Sequence, residues 1–147
     1  MSAQLRTMAD EGCRLTVYDD ATGKPITAGT LVKGNPSIGF GRLLCAPGGI
    51  SNAEAVFLFG TDWQKAEAGA KTLPCYSRIN AVRQGVLTEM VFQLGIDGVR
   101  KFAKMLGAIS RNDFDSAADE MLASRWAEQT PERAHRLADL MRATENA

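Results

Sequence analysis

The spacing of apolar residues changes along the chain. Between residues 3 and 11 apolar side chains recur at helical intervals and Gly12 follows as a stop signal, which predicts a short helix ending near Glu11. From residue 14 to 41 the period becomes two, in the runs RLTVYD, PITAGTLVK and PSIGFG, and the segments DATGK and KGNP between them are typical of turns. These runs predict a small antiparallel sheet of three strands.

Helical spacing returns after the loop CAPGG. Ser51 and Glu54 have the spacing of a capping box, in which each residue satisfies an unpaired amide of the first turn, and they predict a helix of about 20 residues that ends near Leu73. Its apolar positions form one stripe: Ala55, Val56, Phe59 and Trp63. Beyond Pro74 all patterns are helical, and in the last one Thr130 is the expected N-cap with Pro131 at the first helical position.

These elements predict an α+β fold, in which a small antiparallel sheet lobe and a larger helical lobe are joined by a long helix. We expect one domain over 1–147, with the β lobe at 13–50, the connecting helix at 51–73, and the helical lobe built from 1–12 and 74–147. Such a layout leaves a cleft between the lobes, where ligand sites tend to form.

Charge and composition narrow the partners. Seventeen basic residues balance seventeen acidic ones, so the chain lacks the basic surface that nucleic-acid binding requires. The N-terminus has no secretory pattern and no segment approaches about 18 apolar residues, so we expect synthesis in the cytosol and no stable membrane anchor. Cys13, Cys45 and Cys75 have no metal-ligand spacing; free thiols are expected, and a later Cys45–Cys75 bridge stays open.

Single residues carry little functional signal by themselves. Most carboxylates at helix ends and in turns, such as Glu11 and Asp20, are simply solvated. The lone His135 is expected at the surface or at a helix cap, and Trp63 and Trp126 are more often core residues than platforms for sugars. The sequence holds no Ser, His and Asp set and no phosphate-binding glycine loop.

Five segments read together resemble a known family. DEGCRLTVYDD, SIGFGR, MVFQLG, SRW and QTPERA occur in the order in which phage-type lysozymes carry similar segments, and they cover nearly the whole chain. This is the endolysin family of the T-even phage enzyme, glycoside hydrolase family 24. The resemblance implies a lysozyme-like fold with the cleft as its active site.

The resemblance also implies roles for three residues. Glu11 and Asp20 hold the family's nine-residue spacing of catalytic glutamate and aspartate, and Ser37 stands where the family has a threonine that helps to hold the attacking water. Hydrolysis of a glycosidic bond needs an acid for the leaving oxygen and a second carboxylate as base or electrostatic stabiliser. A glutamate at a helix end that faces a partly buried cleft can keep its proton, which suits Glu11 as the acid. Asp19 is the alternative to Asp20.

Substrate contacts follow from the same resemblance. The positions it indicates are Leu43, Phe92, Gln93, Arg125, Thr130 and Arg133. Each has a structural alternative. Phe92 could be a core residue, Gln93 could bond the backbone, and the two arginines could pair with Glu128 and Glu132.

Two departures from the family pattern stand beside these positions. Sixteen residues separate Asp20 from Ser37, where the compact relatives have five, and the extra residues resemble a longer hairpin over 21–36 that could preserve the site or move Asp20. Arg42 replaces a histidine that follows the strand in the compact relatives, so any ion pair there must be built differently.

The expected activity is that of a muramidase. It would cleave the β-1,4 bond between N-acetylmuramic acid and N-acetylglucosamine in bacterial peptidoglycan, without metal or cofactor, as a monomer, and with inversion as the compact relatives imply. The expected role is lysis of a bacterial host, from whose cytoplasm a holin-type partner would release the enzyme to the periplasm and wall. The alternatives are a lytic transglycosylase, which needs one acidic residue, and a non-catalytic wall-binding module.

Overall fold

The chain divides into two compact units. A computed structural model describes residues 3–45 and 47–143, without the side chains of Ala3 and Arg6. Contacts between residues separate Met1–Val56 from Phe57–Ala147, so the boundary falls inside the long helix. The predicted division into lobes, and the cleft between them, stay predictions.

The first unit contains the sheet. Its elements, with the long helix that leaves it, are α1 (Ala3–Glu11), β1 (Arg14–Asp19), β2 (Pro36–Gly39), β3 (Arg42–Leu43) and α2 (Asn52–Lys71). The three strands are antiparallel in the order β1-β2-β3, so the α+β class is confirmed. The short helix α1 also ends at Glu11 as predicted.

The middle predicted strand, over 25–33, is wrong. Only Pro25 forms an isolated bridge, with Tyr18, and the run then turns at Thr27, where the Thr30 N–H donates to the Thr27 carbonyl oxygen at 3.0 Å. Gly29, inside this turn, has a φ of +82°, a left-handed conformation that an extended strand does not contain. The third strand is instead β3.

Helix α2 begins as the sequence predicts. The Glu54 Oε2 accepts hydrogen bonds from the Ser51 backbone N–H at 2.8 Å and from the Ser51 hydroxyl at 2.7 Å, and the Glu54 N–H donates to the Ser51 Oγ at 3.3 Å. The predicted capping box is therefore formed. The helix spans 20 residues, which matches the expected length.

The apolar stripe of α2 is covered only in part. Val56 is 63% exposed and Phe59 is 53% exposed, whereas the buried side chains of the helix are Ala66 and Ala70. Small residues dominate the packed end because α2 approaches the next long helix closely there. A Cβ on Gly69 would lie 3.2 Å from the Val91 Cγ1.

The second unit is helical throughout its described residues. After a 3₁₀ turn at Tyr76–Arg78 come α3 (Ala81–Arg100), α4 (Ala103–Ser110), α5 (Phe114–Leu122), α6 (Arg125–Gln129) and α7 (Pro131–Arg142). The largest fully buried side chains of its core include Leu87, Met90, Met105, Ile109, Met121, Leu137 and Met141. The unbranched methionines can fill the irregular gaps between these short helices.

Helix α3 passes through this core and bends near its end. Val86, Leu87 and Met90 are each at most 1% exposed, as expected for a helix enclosed by others. The bend lies at Gly95, whose φ of 70° and ψ of 161° are not helical. Glycine adopts this conformation without a steric cost.

The start of α7 differs from the prediction in one detail. Thr130 occupies the N-cap position and Pro131 the first helical position, but the threonine side chain does not cap the helix. Its hydroxyl instead donates to the Trp126 carbonyl oxygen at 3.1 Å. Proline contributes no N–H at its position, so one donor fewer needs a cap.

A buried arginine holds the last described turn to the core. Arg83 is 6% exposed; its Nε donates to the Met141 carbonyl oxygen at 2.8 Å and its Nη2 to the Ala143 carbonyl oxygen at 2.7 Å. The guanidinium also lies 3.5 Å from the centroid of the Phe114 ring. Arg83 thus supplies the donors that the final carbonyls of α7 lack within the helix.

Arg83→Met should weaken the second unit strongly. We expect the free energy of unfolding of this unit to fall by about 2–3 kcal/mol, because buried carbonyl oxygens lose charged donors. Urea unfolding followed by tryptophan fluorescence measures the effect, since Trp63 and Trp126 both belong to this unit. The matched control Arg78→Met changes an exposed arginine. Equal losses in the two variants would contradict the anchoring role.

Candidate functional site

Glu11 is the last residue of α1. Gly12 follows with a φ of +65° and donates its N–H to the Met8 carbonyl oxygen at 3.2 Å, which ends the helix. The exposed Glu11 side chain lies beside Gly41, where an added Cβ would be 3.0 Å from Glu11 Oε2. Gly41 therefore leaves room for the glutamate at the turn between β2 and β3.

Ser37 lies in the central strand. Its register partners are Tyr18 on β1 and Leu43 on β3, and the residue is 2% exposed. Neighbours directly opposite across strands share one face of a sheet, so Ser37, Tyr18 and Leu43 belong to the same face. In the described part of the chain no hydrogen-bond partner satisfies the serine hydroxyl.

Asp20 follows β1 and is held by Asn35. The Asn35 backbone N–H donates to Asp20 Oδ1 at 2.7 Å, and the Asn35 Nδ2 donates to Asp20 Oδ2 at 3.1 Å. These two bonds lower the pKa of the Asp20 carboxyl, against an opposing effect of desolvation and of the Asp19 charge. Asp20 is consequently an exposed carboxylate held in its ionised form.

Asp19, the alternative to Asp20, has its carboxylate bound by the backbone. Its Oδ2 accepts from the Lys33 N–H at 2.8 Å, and its Oδ1 accepts from the N–H groups of Gly34 at 2.9 Å and Ala21 at 3.0 Å. These bonds, led by that from Lys33, lower the pKa of Asp19, and the residue is only 2% exposed. This environment favours a structural role for Asp19.

The long segment after Asp20 is a closed loop. Its two ends meet where Asp19 pairs with Pro36 and where the Asp20 N–H donates to the Asn35 carbonyl oxygen at 3.0 Å. Along β1 and its continuation, Ser37 thus lies opposite Tyr18, and Asp20 lies two residues beyond Tyr18, opposite Asn35. The start of the loop turns back along β1, where the Asp19 N–H donates to the Lys24 carbonyl oxygen at 3.0 Å and the Ile26 N–H to the Val17 carbonyl oxygen at 2.9 Å. The expected hairpin over 21–36 has no paired strands of its own.

Arg42 makes the differently built ion pair that its position suggested. Its Nη1 and Nη2 donate to the two carboxylate oxygens of Glu54 at 2.7 and 3.0 Å, and its Nε donates to the Gly49 carbonyl oxygen at 2.7 Å. Hydrogen bonds from Ser51, followed by the charge of Arg42, lower the pKa of Glu54. This arginine ties β3 to the start of α2.

The other predicted substrate residues belong to the second unit. Gln93 was expected to contact a ligand or the backbone; its amide oxygen instead accepts a hydrogen bond from the buried Trp126 Nε1 at 2.8 Å. Phe92 is 42% exposed and forms an aromatic cluster with Phe59 and Trp63, with ring centroids 5.4 and 6.0 Å away. Phe92 is therefore not a core residue.

The two arginines are free of the predicted acidic partners. Within 3–45 and 47–143 neither Arg125 nor Arg133 forms an ion pair, with Glu128, Glu132 or any other acid. Arg125 borders a cavity of about 540 Å³ that Trp126 also lines. The substrate roles of both arginines, and that of Thr130, stay predictions.

Asn35 is the functional candidate that sequence reasoning missed. It lies in KGNP, whose composition predicts only a turn. An asparagine that follows glycine and precedes proline often bonds a nearby main chain, but the sequence does not show that this one reaches Asp20.

The described residues form no metal site and no membrane span. No three His, Cys, Asp or Glu side chains there are grouped to hold a metal ion. No helix in that part is long and apolar enough to cross a membrane. Cys13, Cys45 and Cys75 are free thiols.

The chain matches a protein family and several known proteins. The model of the Phage lysozyme family matches residues 8–145. The pre-baseplate central spike protein Gp5 of Enterobacteria phage T4 is 35% identical over 145 residues, which is 87% of this chain and 25% of that protein. Two probable T4-type lysozymes of Dictyostelium discoideum also match. Probable T4-type lysozyme 2 is 35% identical, over 60% of this chain and 54% of its own length. Probable T4-type lysozyme 1 is 30% identical, over 63% of this chain and 56% of its own length. The chain spans between about a quarter and about half of these relatives.

Asp19→Asn should loosen the loop, and the wild-type loop should loosen in acid. The replacement removes an acceptor for backbone N–H groups, so hydrogen exchange at Lys33 or Gly34 should quicken by on the order of tenfold.

Because the pKa of Asp19 is lowered on folding, its stabilising effect is present above the unfolded pKa of about 3.9 and is lost as the pH falls through the folded value. Exchange measured from pH 6 downward tests both points. Asp10→Asn, at an exposed helix position, is the control; an unchanged loop in Asp19→Asn would contradict the bracing role.

Proposed function

Because the chain belongs to the phage lysozyme family, we propose that it hydrolyses the β-1,4 bond between N-acetylmuramic acid and N-acetylglucosamine in bacterial peptidoglycan. The observation that carries the proposal is the grouping of three predicted residues in the first unit. Glu11 lies beside the β2–β3 turn, Ser37 lies in the central strand opposite Tyr18, and Asp20 follows two residues after Tyr18, opposite Asn35.

Glu11 is the general acid of this proposal. In the free chain its side chain is exposed rather than enclosed, so the partly buried environment expected from sequence is not present around it. A saccharide placed over the turn at Gly41 would cover Glu11 and exclude water. The acid then gives its proton to the glycosidic oxygen as the bond to the anomeric carbon breaks.

Asp20 stabilises the positive charge that develops on the sugar. Its lowered pKa keeps it ionised and makes it a weak base toward neutral water. Once the water oxygen has bonded to the anomeric carbon, that oxygen is strongly acidic and its proton passes to Asp20. The hydrogen bonds from Asn35 therefore favour electrostatic stabilisation first and proton acceptance second.

Ser37 positions the attacking water. Since the described residues leave its hydroxyl without a partner, the oxygen is available to accept from or donate to a water molecule. Burial between Tyr18 and Leu43 limits the space around it, which compensates for the methyl group that a threonine would have.

The biological role has two candidates. We propose release of the enzyme from the cytoplasm of a bacterial host by a holin-type partner, followed by lysis of the wall. The likeness to a central spike protein favours a second candidate, in which the domain cleaves the wall as part of a larger protein. Measuring whether the protein is found in purified particles or only in the lysate separates the two.

Substitution of the three residues tests the reaction. Glu11→Gln should lower the rate by about 10³-fold and Ser37→Ala by about tenfold, with Asp20→Asn between them, since proton transfer and charge stabilisation are lost to different degrees. The assay is turbidity loss of permeabilised Gram-negative cells with mass spectrometry of the released sugars. Asp10→Asn, the carboxylate next to Glu11, is the matched control and should retain activity.

The released sugars distinguish hydrolysis from the alternative functions. Reducing muropeptides support hydrolysis. Anhydro sugars with an indifferent Asp20→Asn would indicate a lytic transglycosylase, and sugar binding without turnover by the wild type would indicate a wall-binding module. Either result contradicts the proposed function.

A further inference from the structure

Asn35 is joined to Asp20 by three hydrogen bonds. Its backbone N–H and its side-chain amide each donate to one carboxylate oxygen, at 2.7 and 3.1 Å, and its carbonyl oxygen accepts the Asp20 N–H at 3.0 Å. We propose that Asn35 is a positioning residue for Asp20 in glycosidic-bond cleavage. This inference rests on the function proposed above. It gives a role to the loop between Asp20 and Ser37, which is longer here than in the compact relatives.

The geometry fixes the direction of the carboxylate. With a donor on each oxygen, rotation of the Asp20 side chain would break at least one bond to an ionised group, and such bonds are stronger than neutral ones. One donor is part of the main chain and remains in any variant. The other, Asn35 Nδ2, is the part that a substitution can remove.

A neighbouring thiol orients the Asn35 amide. The Cys45 Sγ donates to Asn35 Oδ1 at 3.7 Å, within the longer range of sulfur hydrogen bonds, so the amide oxygen faces Cys45 and the amide nitrogen faces Asp20. Cys45 lies in the segment after β3 and Asp20 follows β1. Asn35 therefore links the two edges of the sheet through its own side chain.

The main chain before Asn35 lies against the Asp20 side chain at Gly34, where a residue with a Cβ does not fit. A Cβ on Gly34 would collide with Asp20 Oδ1 and would lie 2.6 Å from the Ala21 Cβ. At the same place the Gly34 N–H binds Asp19. The segment Lys33–Asn35 thus serves both carboxylates, with Asp19 bracing the loop and Asn35 directing Asp20.

The charges around Asp20 oppose its ionisation, so the hydrogen bonds from Asn35 are needed to keep the carboxylate charged. The titratable group that acts on Asp20 is the adjacent Asp19, whose negative charge opposes ionisation. Within the described ranges no cation lies within ion-pair distance of Asp20. Hydrogen bonds, and not an ion pair, keep two adjacent carboxylates charged.

Two variants of Asn35 test the inference. Asn35→Ala removes the Nδ2 donor and keeps the backbone bonds, and Asn35→Asp places a third carboxylate against Asp20. Carbon-13 NMR titration of the Asp20 carboxyl in the free protein should show its pKa raised in Asn35→Ala and raised further in Asn35→Asp. In the same variants kcat on purified peptidoglycan fragments should fall by about tenfold or more, with KM nearly unchanged.

The pH profile separates positioning from loop stability. A raised pKa protonates Asp20 at a higher pH, so the acid limb of kcat should move upward in the same order as the NMR titration. Thr30→Ala is the matched control, because the Thr30 Oγ1 accepts from the Thr27 N–H at 2.9 Å inside the same loop. It should leave the acid limb in place.

The outcomes distinguish this inference from the proposed function. An active wild type whose Asn35→Ala variant keeps its Asp20 titration, or shifts it without losing kcat, overturns the inference alone. An equal loss in Thr30→Ala also overturns it, since loop integrity would then explain the effect. A wild type that binds but never cleaves peptidoglycan overturns the proposed function, and the inference fails with it.

Discussion

The acceptance of three backbone N–H groups by the Asp19 carboxylate is the constraint on which the first unit depends. Asp19 lies at the end of β1, and its oxygens bind Ala21 at the start of the loop and Lys33 and Gly34 near its end. This acceptor acts together with the Asp19–Pro36 pair and with the bond from the Asp20 N–H to the Asn35 carbonyl oxygen, and the three hold the two ends of the loop at one place. Next to this closure Asp19 pairs with Pro36 and Tyr18 with Ser37, and the register of β1 and β2 shifts only farther along the strands, between Tyr18 and Arg14.

Asp19 and Asp20 show how neighbouring residues of one type can divide two tasks. Asp19 is the last residue of β1 and turns its carboxylate inward, whereas Asp20 is the first residue after the strand and turns its carboxylate outward. The inward one is buried and satisfied by main chain, whereas the outward one is exposed and held by Asn35. Sequence spacing favoured Asp20 as the chemical residue, and the hydrogen bonds give a physical reason for that choice.

Local signals in the sequence predicted much of the fold, and non-local ones were missed. The capping box at Ser51 and Glu54 depends on residues three apart, and the end of α1 depends on one glycine, so both were correct. The strand over 25–33 was wrong because a period of two in the sequence does not make a strand without a pairing partner, and all residues of this run except the partly buried Ile26 and Val32 are exposed. The family was recognised from five short segments, and the family match confirms it. The Asn35 contact with Asp20 spans 15 residues, and no local pattern encodes it.

The loop also shows why a long insertion can leave a candidate site in place. Lengthening the segment between Asp20 and Ser37 from five to sixteen residues adds only about 1 kcal/mol of closure entropy, because that cost grows with the logarithm of loop length. The larger risk is geometric, since a loop that closes at the wrong place would shift the strand register by one residue and turn Ser37 to the other face. The bonds from Lys33 and Gly34 to Asp19 and from Asn35 to Asp20 act against that shift, since each of them is made only when Asn35 returns beside Asp20. The added segment therefore brings its own register control, and the donor that directs Asp20 is part of it.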